Sequence, residues 1–198
     1  LGIANGIEND ILVEYAKTSN IGYIRGDEKD VLGRLVQCGD FDSATDIFRS
    51  TSESPFPYFE LIDKSWRYHI KNSNDATFLD NIIDGCGFEI LSLNALRESH
   101  KDGEDKHRSE LCTLYIRENK DKFTIEYIDP PSKLSRKDIR LTVDYPEDLI
   151  VCRSVYNNFK DMAPRIPLSD VVDYLDENTH LLKLTSPFCE EGYNTMYL

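Results

Sequence analysis

Ile21-Gly22-Tyr23-Ile24-Arg25-Gly26-Asp27-Glu28-Lys29-Asp30-Val31-Leu32-Gly33-Arg34 is the stretch that decides the fold. Ile21 to Ile24 reads as a strand, Gly26 breaks it and permits a tight turn, and Asp27, Glu28 and Asp30 crowd the first turn of a helix, where the dipole favours negative charge. That helix carries Val31, Leu32, Leu35 and Val36. Outward from it, Leu1 to Ala4 reads as the end of an earlier strand. Asn9 is placed to cap a helix whose Ile11, Leu12, Tyr15 and Ala16 share one face. Thr45 to Phe48 is the next strand. Helix and strand alternate with short links, which is the pattern of an α/β fold with a parallel sheet covered by helices.

Further along, Leu61, Ile62, Trp66 and Ile70 recur at helical spacing, followed by a polar turn from Lys71 to Asp75. Phe88 to Leu91 reads as a strand and Ser92 as the cap of a helix from Leu93 to His100. The charged run Lys101 to Arg108 reads as a solvated loop before a helix ending near Asn119. Phe123 to Ile128 alternates apolar and polar residues, as a half-exposed strand does at an edge or a subunit contact. Leu141 to Val143 reads as another strand, Pro146 opens a helix to Phe159, and Ser169 caps a helix from Asp170 to Glu177. The tail from Leu181 has no strong period. There is no internal repeat and no low-complexity linker, so the expectation is one domain over residues 1–198.

The chain has 23 basic and 36 acidic residues, a formal charge of −13. Such a surface repels nucleic acid phosphates and anionic lipid, which argues against a polymeric nucleic acid or membrane partner. A small anionic ligand is still admissible where arginines or a bound cation reverse the field inside a cleft. The five cysteines are odd in number, far apart and form no zinc-type pair. They read as free thiols. With no signal peptide at Leu1 and no apolar run near the ~20 residues of a membrane span, a reducing cytoplasm is expected.

Arg140-Leu141-Thr142-Val143-Asp144-Tyr145-Pro146-Glu147-Asp148 puts an acid where a short strand meets a helix opening on proline, and ligands of open α/β sheets bind at such strand ends. Two readings stand for Asp144: a ligand of a hard divalent cation, or the cap of the helix begun by Pro146. Arg49-Ser50-Thr51-Ser52-Glu53-Ser54-Pro55 leaves another strand end, and Glu53 is either the companion metal acid or a solvated glutamate in a turn. The helix start after Gly26 has free amides that can meet an anion or a ribose hydroxyl, with Arg34 within two turns; ordinary capping explains the acids equally well. Arg108 and Arg117 flank Tyr115 and read as solvent-facing pairs or as anion binders. None of the four histidines stands beside a nucleophile, so hydrolytic triads gain no support, and there is no glycine-rich phosphate loop.

The order of these motifs resembles the cytidylyltransferase family that includes spore-coat polysaccharide biosynthesis proteins, related to the acylneuraminate and ketodeoxyoctonate cytidylyltransferases. The similar pieces are Arg25 through Arg34, Arg49 through Pro55, Gly87-Phe88-Glu89-Ile90, Tyr115 through Asn119, Arg140 through Asp148, and Glu191-Gly192-Tyr193. The resemblance implies a Rossmann-like nucleotidyltransferase with a mostly parallel three-layer sheet, using CTP and Mg²⁺ to join CMP to a sugar-acid-like acceptor with release of pyrophosphate, as a homodimer. By the same resemblance Glu53 and Asp144 hold the metal, Arg49 and Arg140 are catalytic, Arg25, Gly26, Asp30 and Arg34 meet the nucleotide, and Glu89, Arg108 and Arg117 meet the acceptor. Residues 78–128 are the acceptor-binding and dimerisation region. Glu53 departs from the family, in which many members carry aspartate in a Gly-Asp-x-Pro turn. The likeness begins only at the family's second strand, so the chain is expected to be N-terminally incomplete, lacking the Arg/Ser/Gly triphosphate loop. The alternative is a catalytically inactive binding or dimerisation module; a glycosyltransferase is disfavoured because no Asp-x-Asp pair stands at a strand end.

Overall fold

The computed structural model describes residues 1–196. Its strands are β1 (Gly2–Ala4), β2 (Ile24–Gly26), β3 (Asp46–Arg49), β4 (Ala76–Phe78), β5 (Glu89–Ser92) and β6 (Ile125–Tyr127). Its α-helices are α1 (Asp10–Thr18), α2 (Val31–Phe41), α3 (Ile62–Asn72), α4 (Leu93–Asp102), α5 (Leu114–Glu118), α6 (Pro146–Phe159), α7 (Leu168–Glu177) and α8 (Thr179–Met196). β1 and β2 pair in parallel, Gly2 opposite Ile24 and Ala4 opposite Gly26. The other four strands lie in the order β3-β5-β4-β6, so β6 is an edge strand. Ser92 N–H donates to the Asp75 carbonyl at one end of the β4–β5 pair and Leu79 N–H to that of Phe88 at the other, which makes β5 antiparallel to β4.

The chain gathers into two compact units, one of Leu1–Ile47, Ser73–Ala76 and Leu91–Ile125, the other of Phe48–Asn72, Thr77–Ile90 and the chain from Glu126. The stretch 78–128 therefore contributes to both.

In the first unit the helix starts follow local chemistry. The Asp30 side chain accepts from Gly33 N–H at 2.8 Å to cap α2, and Ser92 Oγ accepts from Ala95 N–H at 3.1 Å to cap α4. Leu32, Leu93, Leu96 and Ile116 are buried here. Asn9 occupies the N-cap of α1 but its side chain makes no capping bond. Of the α1 face only Ala16 is buried, while Ile11, Leu12 and Tyr15 are exposed together with Ile7. Helical spacing put these residues on a common side; it carried no information on whether anything packs there. The charged run before Arg108 is not a plain loop. His107 is buried in a 3₁₀ turn, its Nδ1 accepting from Glu104 N–H at 2.8 Å, so Nε2 carries the proton and donates to Glu118 at 2.9 Å.

The second unit holds the larger core, built from Leu79, Ile82, Ile83, Ile90, Ile139 and Leu141 with Val151 and Val155 of α6 and Val171, Val172 and Leu175 of α7. α6 spans the predicted Pro146 to Phe159. Leu141 to Val143 is not a strand. It is a strap fixed at separate points: a parallel bridge joins Arg140 to Asp84, Leu141 N–H donates to the Asp84 carbonyl at 2.8 Å, and Val143 N–H donates to that of Glu53 at 2.9 Å. Two different loops share the bonds, so no ladder forms. Ser169 does not cap α7, whose N-cap position is Pro167. The tail without visible period is α8, which packs on α6 and α7. Its inner face is Leu181, Thr185 and Cys189 at four-residue spacing, and the threonine at the middle position hides the pattern. Pro187 removes one helical N–H, and Ser186 Oγ donates to the Lys183 carbonyl it would have served, at 3.2 Å.

Candidate active site

The second unit brings five of the expected site residues together in two groups. In the first, Arg140 is buried, its side chain 3 % exposed, and its guanidinium serves three carboxylates. Nε donates to both oxygens of Asp148 at 3.0 and 3.1 Å, Nη1 to Asp84 at 2.6 Å, and Nη2 to Asp144 in a close contact. Burial works against the cation, but the three acids outweigh it and raise its pKa. Burial also pushes the Asp84 carboxyl above the usual range, with Arg140 opposing. Among the described residues, Asp84 Oδ1 is buried with no hydrogen-bond partner. One guanidinium against three carboxylates leaves the cluster acidic.

The two readings of Asp144 separate here. Asp148, fully buried, accepts from Asp144 N–H and Tyr145 N–H, both at 3.0 Å, and so caps α6 from within its first turn. Asp144 does not cap. Its side chain is 49 % exposed, with one oxygen held by Arg140. Glu53 is half-buried beside the same strap, joined through its carbonyl to Val143, and its carboxylate accepts from Ser52 Oγ at 3.4 Å.

In the second group, Arg49 ends β3 and Glu89 opens β5, and the two form an ion pair at 2.7 Å. Both are largely shielded from solvent, a setting where such a pair is more strongly coupled than at a surface.

The remaining expected residues belong to the first unit. Arg25 donates to Asp10 and to the Gly6 carbonyl, both at 2.5 Å, and pins the turn between β1 and α1. Gly26 is buried, and a Cβ there would lie 2.7 Å from Arg34 Cγ. Close approach, rather than the turn alone, calls for glycine. Arg34 Nη1 donates to the carbonyls of Asp27 and, at 2.8 Å, Glu28, shaping the loop before α2. Asp30, the α2 cap, pairs with His100 Nε2 at 2.7 Å, and Arg108 donates to the His100 carbonyl at 3.1 Å. One residue expected at the nucleotide and one expected at the acceptor thus meet at His100. Arg117 donates to Thr113 at 3.1 Å within its own helix turn.

Sequence reasoning passed over Asp84 and Asp148. Asp84 stands in Ile82-Ile83-Asp84-Gly85, which reads as a turn after an apolar pair; nothing local marks its acid as buried. Asp148 lay inside the quoted motif as an ordinary first-turn acid. All five cysteines are free; burial and the nearby Asp148 push the Cys152 thiol up to about 12, which makes it unreactive. Among the described residues no helix is long and apolar enough to cross a membrane.

No protein-family profile matches the chain. It is 33 % identical over 186 residues to an uncharacterized protein of Methanocaldococcus jannaschii (MJ1063), covering 94 % of this chain and 76 % of that protein. It is 26 % identical over 171 residues to the spore coat polysaccharide biosynthesis protein SpsF of Bacillus subtilis, covering 86 % and 71 %. A cytidylyltransferase from Leptospira borgpetersenii shares the fold at a TM-score of 0.79 and 20 % identity, over 91 % of this chain and 77 % of that one. The α/β architecture is accordingly Rossmann-like, as the motif order implied. On the strength of these likenesses, the chain belongs to the cytidylyltransferase family of the spore-coat polysaccharide biosynthesis type.

Proposed function

We propose that the chain is a CTP-dependent cytidylyltransferase that joins CMP to a sugar acid or related acceptor in surface glycan biosynthesis, working as a homodimer in the cytoplasm. The observation that carries the reading is the 2.9 Å bond from Val143 N–H to the Glu53 carbonyl, which sets Glu53 and Asp144 in adjoining loops. The name of the Leptospira protein supports nucleotidyl transfer as the reaction, and that of the Bacillus relative supports polysaccharide biosynthesis as its setting.

In that reaction an acceptor oxygen forms a bond to the α-phosphorus of CTP while the bond from that phosphorus to the bridging oxygen of the β-phosphate breaks. The electron pair leaves with pyrophosphate and the acceptor proton passes to solvent. Glu53 and Asp144, hard carboxylates on two loops joined at Val143, are the residues that would hold Mg²⁺, although among the described residues no three acids, histidines or cysteines gather into a metal-binding group. When bound, the ion would offset charge on the phosphates. The chain's own residues do the positioning. Arg140 fixes one oxygen of Asp144, and Asp148 fixes both the backbone of the strap and the start of α6. Arg49, oriented by Glu89, offers a cation to an anionic reactant. Arg25, Gly26, Asp30 and Arg34 are proposed for the nucleotide, and Glu89, Arg108 and Arg117 for the acceptor. Glutamate at 53 reaches farther than aspartate, so its loop must stand back from the ion.

The test is to incubate the full chain with each nucleoside triphosphate, a panel of sugar acids and Mg²⁺ while recording pyrophosphate, with light scattering for the oligomer. Release that requires CTP and one acceptor is expected. Silence in every combination would leave only a binding module.

A further inference from the structure

We propose that α8 is a positioning element for Asp144, acting through Arg140, and that glycine at 192 is what allows it. The inference rests on the reading of Asp144 as the acid of the site. Phe188 and Gly192 are four residues apart in α8 and so lie on one face. The Phe188 ring stacks on Tyr145, centroids 4.1 Å apart and planes 15° from parallel, directly beside Asp144 in the chain. The Arg140 guanidinium carbon lies 5.6 Å from the centre of the same Tyr145 ring.

Gly192 lies against the cluster itself. A Cβ there would lie 2.6 Å from Asp84 Oδ2 and closer still to Arg140 Nη1. An arginine tip ordinarily swings aside from such an intruder. Arg140 has nowhere to go, because Asp148 holds Nε, Asp84 holds Nη1 and Asp144 holds Nη2. Any side chain at 192 must therefore shift the guanidinium, and with it the carboxylate of Asp144, or push α8 off its seat. Phe188 braces the strap through Tyr145, and Gly192 lets the helix close over the ion pair. In this role the helix acts on where Asp144 points.

The experiment compares the full chain with its Gly192→Ala and Phe188→Leu variants. Measured are the guanidinium ¹H–¹⁵N resonance of Arg140, assigned by its loss in Arg140→Lys; binding of Mn²⁺ alone, by electron paramagnetic resonance; and kcat and KM for pyrophosphate release from CTP. In Gly192→Ala the Arg140 resonance should move, with Mn²⁺ binding and kcat each falling about tenfold and KM for CTP within about twofold, as misplacement of a positioned group requires. Phe188→Leu should act in the same direction, more weakly. An unmoved Arg140 resonance overturns the proposal, and so does a moved one with wild-type Mn²⁺ binding and kcat. A wild-type chain that neither binds Mn²⁺ nor releases pyrophosphate defeats the enzymatic reading instead, and the Arg140 resonance then decides the bracing alone.

Discussion

The backbone N–H of Val143 donates to the carbonyl oxygen of Glu53 at 2.9 Å, so two acidic loops far apart in sequence are tied one residue before Asp144. The tie is made by main-chain atoms and survives side-chain substitution in either loop. Changes to Glu53 or Asp144 therefore test chemistry with little disturbance of the backbone.

Asp144→Asn should lower kcat for pyrophosphate release by roughly 10²-fold or more, in the range of other losses of transition-state charge stabilisation. Stability should change little: the side chain is 49 % exposed, its ion pair is worth ~0–1 kcal/mol at such a site, and Asp148 supplies the α6 cap. Parallel assays and thermal melts check this. A variant that melts far below the wild type yet keeps its turnover would return Asp144 to a structural role.

Arg140→Met should lower stability as well as turnover. It leaves Asp84 and Asp148 buried with no countercharge, a loss of about 3–5 kcal/mol. Urea midpoints measure it. A loss below about 1 kcal/mol would mean that the buried acids take up protons or find other donors without cost, against the geometry described.

Asp138 accepts from Nε and Nη2 of Arg136, both at 2.7 Å, and these bonds hold its carboxyl below the usual range. A group with a depressed folded-state pKa stabilises the fold above its unfolded pKa, and that contribution fades as pH falls through the lower folded value. Asp138→Asn should therefore be less stable than wild type at neutral pH, with the gap closing as acid is added. Urea midpoints at a series of pH values give the comparison. A gap that widens toward low pH would contradict the assignment.

Much of the fold was legible because its signals are local. Asp30 and Ser92 cap the helices they precede, and Pro146 marks the start of α6, since capping depends on residues within one turn. The motif from Arg140 to Asp148 covers the strap, but its spacing could not show which of its acids is buried. Whether Asp144 or Asp148 caps the helix depends on which side chain Arg140 draws inward. Asp84 was invisible because a buried acid in Ile-Asp-Gly looks like a turn until its partner is known. β4 was missed because its Ala76-Thr77-Phe78 is too short for alternation to show, and α8 because Thr185 interrupts its apolar face. The α1 face shows the opposite failure: a clear period with its side chains left in solvent.

Since a single guanidinium answers three acids, the effects of changing Asp84, Asp144 and Asp148 will not add. Each loss reshapes the partner that the other two depend on, so a first substitution alters the consequence of the second. Descendants of this sequence are thus constrained to keep the quartet whole or to replace it as a set, and the strap can drift only where Arg140 does not reach.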